Sequence, residues 1–202
     1  MPSVIPYEQV LSRMGREGFV SLYYNAGAFG FAPDVAVEIV GWIGPGDPSI
    51  REQMRAQTIA IAPPHETNLA RLLARAWESL LAGELWLMPK SHWAYELDFG
   101  NASWLPETLA GIGIDAKELQ PLTNAAAIAF AAGERQNVES FAAQLLTHLH
   151  GSDFLAAFPA HRTVATLHHH KQIWWQTPVP ALAERLRALP RHGVDQSTQS
   201  SS

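Results

Sequence analysis

Cysteine is missing from this chain of 202 residues. Its absence excludes disulfides, thiolate metal ligands and cysteine nucleophiles. Charged residues are scarce as well, at 16% of the chain, and their balance gives a net charge of -5 at pH 7. Nucleic acid is therefore not expected as the main partner, because neutralising phosphates requires a clustered excess of Lys and Arg.

Long apolar runs are missing too, since no stretch approaches the roughly 18 consecutive apolar residues of a membrane-spanning helix. The N-terminus has no basic stretch followed by an apolar one, so we expect no secretory signal. These absences predict a cytoplasmic protein without membrane contact. Neither Gly-x-Ser-x-Gly nor a phosphate-binding Gly-Lys-Ser/Thr is found, which argues against serine hydrolases and nucleotide-binding proteins. No motif identifies a known family.

Apolar residues are plentiful, at 47% of the chain, and predict a globular protein with a substantial core. Their spacing predicts an amphipathic helix over residues 6–16 and a strand–turn–strand hairpin over 35–62. We expect one domain over 1–190, in which the N-terminal helix and hairpin occupy 1–56. The polar tail at 191–202 has little to bury and is expected to be disordered.

The remainder of the domain shows one pattern written twice. Sliding the sequence along itself aligns Ile59–Ala62 with Ile128–Ala131, each followed by an amphipathic helix. Each unit is predicted to run β-α-β-β-α, over residues 57–120 and 126–190. The fold expected is therefore α+β: a mixed, largely antiparallel sheet from two tandem units, with helices packed on one face. Independent use of a common α+β pattern is the alternative to a duplication.

The two units differ most at residues 98–100, Asp-Phe-Gly, which align with three consecutive histidines at 168–170. The surrounding segments, 92–99 and 162–170, are both predicted to be strands. Side chains two residues apart on a strand point to one face, about 6.6 Å apart along the chain. The alignment therefore predicts an acidic strand face in one unit close to a histidine-rich strand face in the other.

Four residues are candidates for a site at those faces: Glu96, Asp98, His168 and His170. A His-x-His pair on a strand can bind Zn²⁺, Mn²⁺ or Fe²⁺ through imidazole nitrogens when at least one further ligand converges. The two carboxylates are the ligands expected to complete such a divalent metal site. The alternative is a set of structural or partly exposed histidines, with the carboxylates in surface ion pairs.

Two further pairs of residues are candidates for ligand binding. His92 and His161 follow a proline at equivalent positions of the two units, and each is expected to shape a turn through a hydrogen bond. Acid–base catalysis is the alternative for this pair. Adjacent Trp174 and Trp175 must point to opposite sides of an extended chain. One of them is therefore expected at the surface, in a ligand groove or a homodimer contact.

These patterns together predict a ligand-binding or protein-interaction module, with a small molecule or a protein as partner and without catalytic machinery. A metal-dependent enzyme is the first alternative, namely a hydrolase whose metal-bound water is the nucleophile. The second alternative is a structural subunit whose exposed tryptophan is covered by a partner.

Overall fold

The computed structural model describes residues 1–43 and 66–190. The predicted strand at 57–62 and the predicted tail at 191–202 lie outside these residues, as do the turn and the second arm of the predicted hairpin. The structure therefore tests the N-terminal segment, the helix of the first unit and everything that follows up to residue 190.

Among the described residues, seven strands form one sheet, and two more form a separate ribbon. In chain order the nine strands are β1 (Ser3–Ile5), β2 (Phe19–Ser21), β3 (Phe29–Phe31), β4 (Glu38–Ile43), β5 (Leu85–Pro89), β6 (Ala127–Phe130), β7 (Phe154–Phe158), β8 (Thr163–His168) and β9 (Gln172–Thr177). The large sheet has the order β1-β6-β5-β7-β8-β9-β4, and each neighbouring pair is antiparallel. β2 pairs with β3 in the ribbon.

In the part of the chain that the structure describes, seven α-helices connect and cover the strands. They are α1 (Tyr7–Arg16), α2 (Glu66–Leu80), α3 (Trp93–Tyr95), α4 (Leu105–Gly111), α5 (Ala116–Leu119), α6 (Arg135–His148) and α7 (Pro180–Ala188). A proline lies in the first turn of α7, where its missing N–H has no helical partner to lose. Gly18 follows the end of α1 with φ at +82°, a left-handed conformation that suits glycine.

The large sheet is buried on both faces, because alternate residues of its central strands enter different cores. Leu85 and Leu87 of β5 face the larger core, which also receives the apolar stripes of α2, α6 and α7. Trp86 and Met88 face a smaller core beneath α1 and the ribbon. The structure confirms the predicted α+β class with a largely antiparallel sheet, and it shows that the N-terminal elements cover the face opposite the main helices.

The strand predicted at residues 92–99 is wrong, because this segment is helical. α3 runs directly into a π-helical turn, Glu96–Gly100. Apolar residues at every second position of this segment also lie four positions apart, which is about one turn of a helix. The chain folds with this helical spacing. Trp93 and Leu97 are buried, whereas Tyr95 and Phe99 are exposed. His92 also caps the start of this helix, a contact that an extended chain would lack.

The two predicted units share only part of their chain path. A helix followed by a strand occurs in both, as α2–β5 and α6–β7, and β5 and β7 lie side by side. After these elements the first unit continues through α3, α4 and α5, whereas the second forms β8, β9 and α7. Trp104 and Trp174, which the alignment matches, consequently lie just before α4 and on β9.

Candidate functional site

The three consecutive histidines lie at a tight hairpin turn. β8 ends at His168 and β9 begins at Gln172, which leaves three residues for the turn. The Lys171 backbone N–H donates to the His168 carbonyl at 2.9 Å, and Lys171 adopts a left-handed φ of 60°. This is the geometry of a three-residue hairpin loop that closes with one left-handed residue. The turn therefore brings together side chains that a continuous strand would place on opposite faces.

The three imidazole rings are close neighbours. Their centroids are 4.3 Å apart for His168 and His169, 4.9 Å for His168 and His170, and 4.2 Å for His169 and His170. One nitrogen of each ring lies within 4.8 Å of one nitrogen of each other ring. His168 and His169 are partly buried, and His170 is exposed. Imidazole nitrogens grouped in this way are ligands for transition metals.

Asp153 contacts two of the three histidines. It directly precedes β7, and the antiparallel pairing of β7 with β8 places it across from the end of β8. Its Oδ1 accepts hydrogen bonds from His169, at 2.9 Å from Nδ1 and at 3.1 Å from the backbone N–H. Its Oδ2 lies 3.9 Å from Nε2 of His168 and 3.9 Å from Nζ of Lys90. A carboxylate thus adjoins the histidines, but it is a different one from those expected.

The hydrogen bonds assign a proton to one nitrogen of each partly buried ring. An ionised carboxylate only accepts, so the proton of neutral His169 is on Nδ1, and its Nε2 has the free lone pair. The backbone N–H of His170 donates to Nδ1 of His168 at 3.1 Å. The proton of neutral His168 is therefore on Nε2, the nitrogen nearer to Asp153.

Partial burial lowers the pKa of His168 below its ordinary value, because burial penalises the charged imidazolium. The negative charge of Asp153 opposes this shift, whereas His169, His170 and Lys90 add to it. The net direction favours a neutral His168 ring at pH 7. A neutral ring offers a lone pair, which metal binding requires.

Glu96 is fully buried and forms a separate network of hydrogen bonds. Its carboxylate accepts from the Ser91 hydroxyl, from the Asn101 amide and, at 2.9 Å, from the Ser152 hydroxyl. Ser152 is the chain neighbour of Asp153, so this network adjoins the histidine turn without entering it. Sequence reasoning expected Glu96 on a strand face with Asp98, and the helical turn separates the two.

Asp98 is exposed, and its Oδ1 accepts a hydrogen bond from the Gln120 amide at 2.8 Å. Within residues 1–43 and 66–190, no ion pair or hydrogen bond joins Glu96 or Asp98 to the three histidines. The carboxylate that does so is Asp153, which sequence reasoning missed. The signal that could have revealed Asp153 is the short connection between the apolar runs of β7 and β8, since strands joined so closely pair antiparallel.

His92 and His161 each form a local hydrogen bond. Nδ1 of His92 accepts the backbone N–H of Tyr95 at 3.2 Å and thereby caps the start of α3. Nε2 of His161 donates to the Ala82 carbonyl at 2.8 Å, just after α2. Both contacts are consistent with the turn-shaping role predicted for these residues.

Trp174 and Trp175 point to opposite sides of β9. Trp175 is fully buried, with its ring 5.0 Å from the Trp42 ring and stacked at 5.5 Å on Phe158. Trp174 is half-buried, and its Nε1 donates to Oε1 of Gln172 at 2.8 Å. A ligand groove or homodimer contact at Trp174 stays a prediction.

Comparison of the chain with protein-family models, with curated proteins and with solved structures finds no match. Among the helices that the structure describes, none has the length and hydropathy needed to cross a bilayer. Function must therefore be inferred from the geometry of the histidine turn and its surroundings.

Proposed function

We propose that this protein binds a divalent transition-metal ion at the β8–β9 turn, through imidazole nitrogens of His168, His169 and His170. The observation that carries the proposal is the grouping of three ring nitrogens within 4.8 Å of one another. The sequence predicted a ligand-binding module, and the ligand proposed for it is a divalent transition-metal ion. His169 takes the place of Glu96 and Asp98 as the further residue that binds the metal.

The spacing of the nitrogens is close to what a metal ion requires. A zinc–nitrogen bond is about 2.0–2.1 Å, so two nitrogens on a tetrahedral ion are roughly 3.3 Å apart. Nitrogens up to 4.8 Å apart must therefore approach one another by up to about 1.5 Å. The exposed ring of His170 is free of packed neighbours on its solvent side, so side-chain rotation can supply much of this movement.

The donor atoms favour particular metals. Imidazole nitrogens suit Zn²⁺, Cu²⁺ and Ni²⁺, whereas Mg²⁺ and Ca²⁺ prefer oxygen ligands. Mn²⁺ and Fe²⁺ lie lower in the general order of affinity for nitrogen sites. Zn²⁺ is therefore a suitable probe, and Mg²⁺ is a suitable negative control.

A metal-dependent hydrolase is the second candidate. Three protein ligands leave the fourth position of a tetrahedral zinc ion for water, as in catalytic zinc sites. Zinc lowers the pKa of such a water to about 7 and makes it a nucleophile at neutral pH. Hydrolysis of an activated ester by the zinc-loaded protein, abolished in His169→Ala, would support this candidate.

Zinc titration of the untagged full-length protein tests metal binding. Calorimetry should show one ion bound per chain, and zinc at 100 times its dissociation constant should stabilise the fold by about 2.7 kcal/mol. His169→Ala and His170→Ala should lose both effects, and Mg²⁺ should produce neither. His150→Ala, which removes an exposed histidine outside the turn, is the matched control and should bind zinc normally. No bound zinc and no thermal shift in the unmodified protein would contradict the proposal.

A further inference from the structure

Asp153 faces the proton-bearing nitrogens of two proposed ligands. Its Oδ1 accepts the Nδ1 proton of His169, and its Oδ2 lies on the Nε2 side of His168. The carboxylate is only partly exposed, with 18% of the side chain accessible to solvent. Only the contact with His169 is a hydrogen bond, because the 3.9 Å from Oδ2 to Nε2 of His168 is too long for one, and it leaves the lone pair of His169 on Nε2.

From this geometry we infer that Asp153 is a positioning residue of the proposed metal site. It holds His169 in the tautomer that binds metal through Nε2. Asp153 itself stays outside the coordination sphere. The inference depends on the proposed function, and it adds the coordination mode of one ligand and the residue that sets it.

The Nδ1 lone pair of His168 is already occupied, because the His170 backbone N–H donates to it at 3.1 Å. His168 can bind a metal through Nδ1 only if this hydrogen bond breaks, whereas the Nε2 lone pair of His169 is available without such a change. A metal-bound histidine commonly donates its other N–H to a carboxylate, which fixes the tautomer and raises the basicity of the ligand.

Lys90 limits how far the carboxylate can move. Its Nζ lies 3.9 Å from Oδ2 of Asp153, and its backbone N–H donates to the Asp153 carbonyl at 2.9 Å. Together with the two bonds from His169, these contacts anchor the carboxylate at the start of β7. An anchored carboxylate can hold the His169 ring in one orientation, which a freely rotating one could not do.

Asp153→Asn tests the inference, because it keeps the shape of the side chain and removes one acceptor. Its carbonyl can still accept from His169, but the amide carries no negative charge, so the hydrogen bond weakens and Nε2 of His169 becomes a less basic ligand. We expect zinc affinity to fall by about 10-fold to 100-fold, the range found when outer-shell partners are changed. Asp98→Asn, an exposed carboxylate with an amide partner, is the matched control and should bind zinc like the unmodified protein.

Nitrogen NMR of the histidine side chains gives a second readout that needs no variant and no metal. Long-range ¹H–¹⁵N correlation at pH 7.5 should show His169 protonated on Nδ1 and His168 protonated on Nε2. Asp153→Asn should shift the His169 signals, because it changes the acceptor of the Nδ1 proton. The opposite tautomer of His169 in the unmodified protein would overturn the inference even if Asp153→Asn failed to fold.

The outcomes separate the inference from the proposed function. Zinc binding by the unmodified protein with equal affinity in a folded Asp153→Asn variant would overturn the inference and leave the metal site standing. Failure of the unmodified protein to bind zinc would overturn the proposed function, and the positioning role with it. Zinc binding by the unmodified protein, weaker zinc binding by Asp153→Asn and the stated tautomers would together support both the inference and the proposed function.

Discussion

Glu96→Ala should destabilise the protein strongly, because three side-chain donors converge on this buried carboxylate. A hydrogen bond to a charged group contributes about 1.5–3 kcal/mol, and part of that gain is offset by the cost of burying the charge. Removing one partner of such a buried arrangement costs about 3–5 kcal/mol, since the remaining groups lose their acceptor. We therefore expect a loss of about 3–5 kcal/mol for Glu96→Ala.

Glu96→Gln should cost much less, about 1–2 kcal/mol, because the amide keeps one acceptor and can donate to a serine hydroxyl. Gly100→Ala probes the same network from the other side. A Cβ at Gly100 would lie 3.0 Å from Oε2 of Glu96 and 3.4 Å from the Tyr95 ring. That crowding should cost about 1–3 kcal/mol alone and less in combination with Glu96→Ala.

Urea unfolding followed by far-UV circular dichroism measures these changes as shifts in midpoint at constant slope. Asp98→Ala, which removes an exposed carboxylate two residues along the chain, is the control and should change the free energy of unfolding by less than about 0.5 kcal/mol. A Glu96→Ala variant that unfolds within 0.5 kcal/mol of the unmodified protein, a margin of about the size of surface effects, would refute the reasoning.

Two further predictions concern the cores. Burial raises the pKa of Tyr7, whose hydroxyl donates to the Ala26 carbonyl at 3.2 Å. The native state therefore favours the protonated phenol, and its contribution to stability is complete below the ordinary pKa of 10.0 and is lost as pH rises above it. As pH rises above about 10, urea midpoints should fall more for the unmodified protein than for Tyr7→Phe, and equal declines would contradict this expectation. Trp175→Ala should cost about 3–5 kcal/mol in urea unfolding, whereas half-buried Trp174→Ala should cost clearly less, and equal losses would show that the two sides of β9 are not packed differently.

Much of the fold follows from apolar spacing. The helix stripes of α1, α2 and α6 and the buried runs of β6, β7 and β8 were all predictable, because each pattern fits only one kind of element. Residues 92–99 fit two kinds, since Trp93, Leu97, Tyr95 and Phe99 satisfy both a spacing of two and a spacing of four. Local hydrogen bonds to His92 and Glu96 favoured the helix, and alternation of apolar residues does not reveal such bonds.

The candidate site was predictable only in part. The histidine triplet was found from the sequence, but strand alternation placed His169 on the face opposite His168 and His170. The structure puts a turn there, and all three side chains converge. Asp153 could not be derived from local spacing, because it reaches the histidines through the pairing of β7 with β8.

The order of the strands has a consequence for synthesis of the chain. Among the residues that the structure describes, both outermost strands of the large sheet, β1 and β4, come from the first 43 residues, and they pair with β6 and β9. On the ribosome these early segments emerge long before their partners, so they remain unpaired until most of the chain has been made. Pairing over such long sequence separations slows folding and prolongs exposure to chaperones and proteases. The N-terminal segments should therefore be the last parts of a nascent chain to become protected.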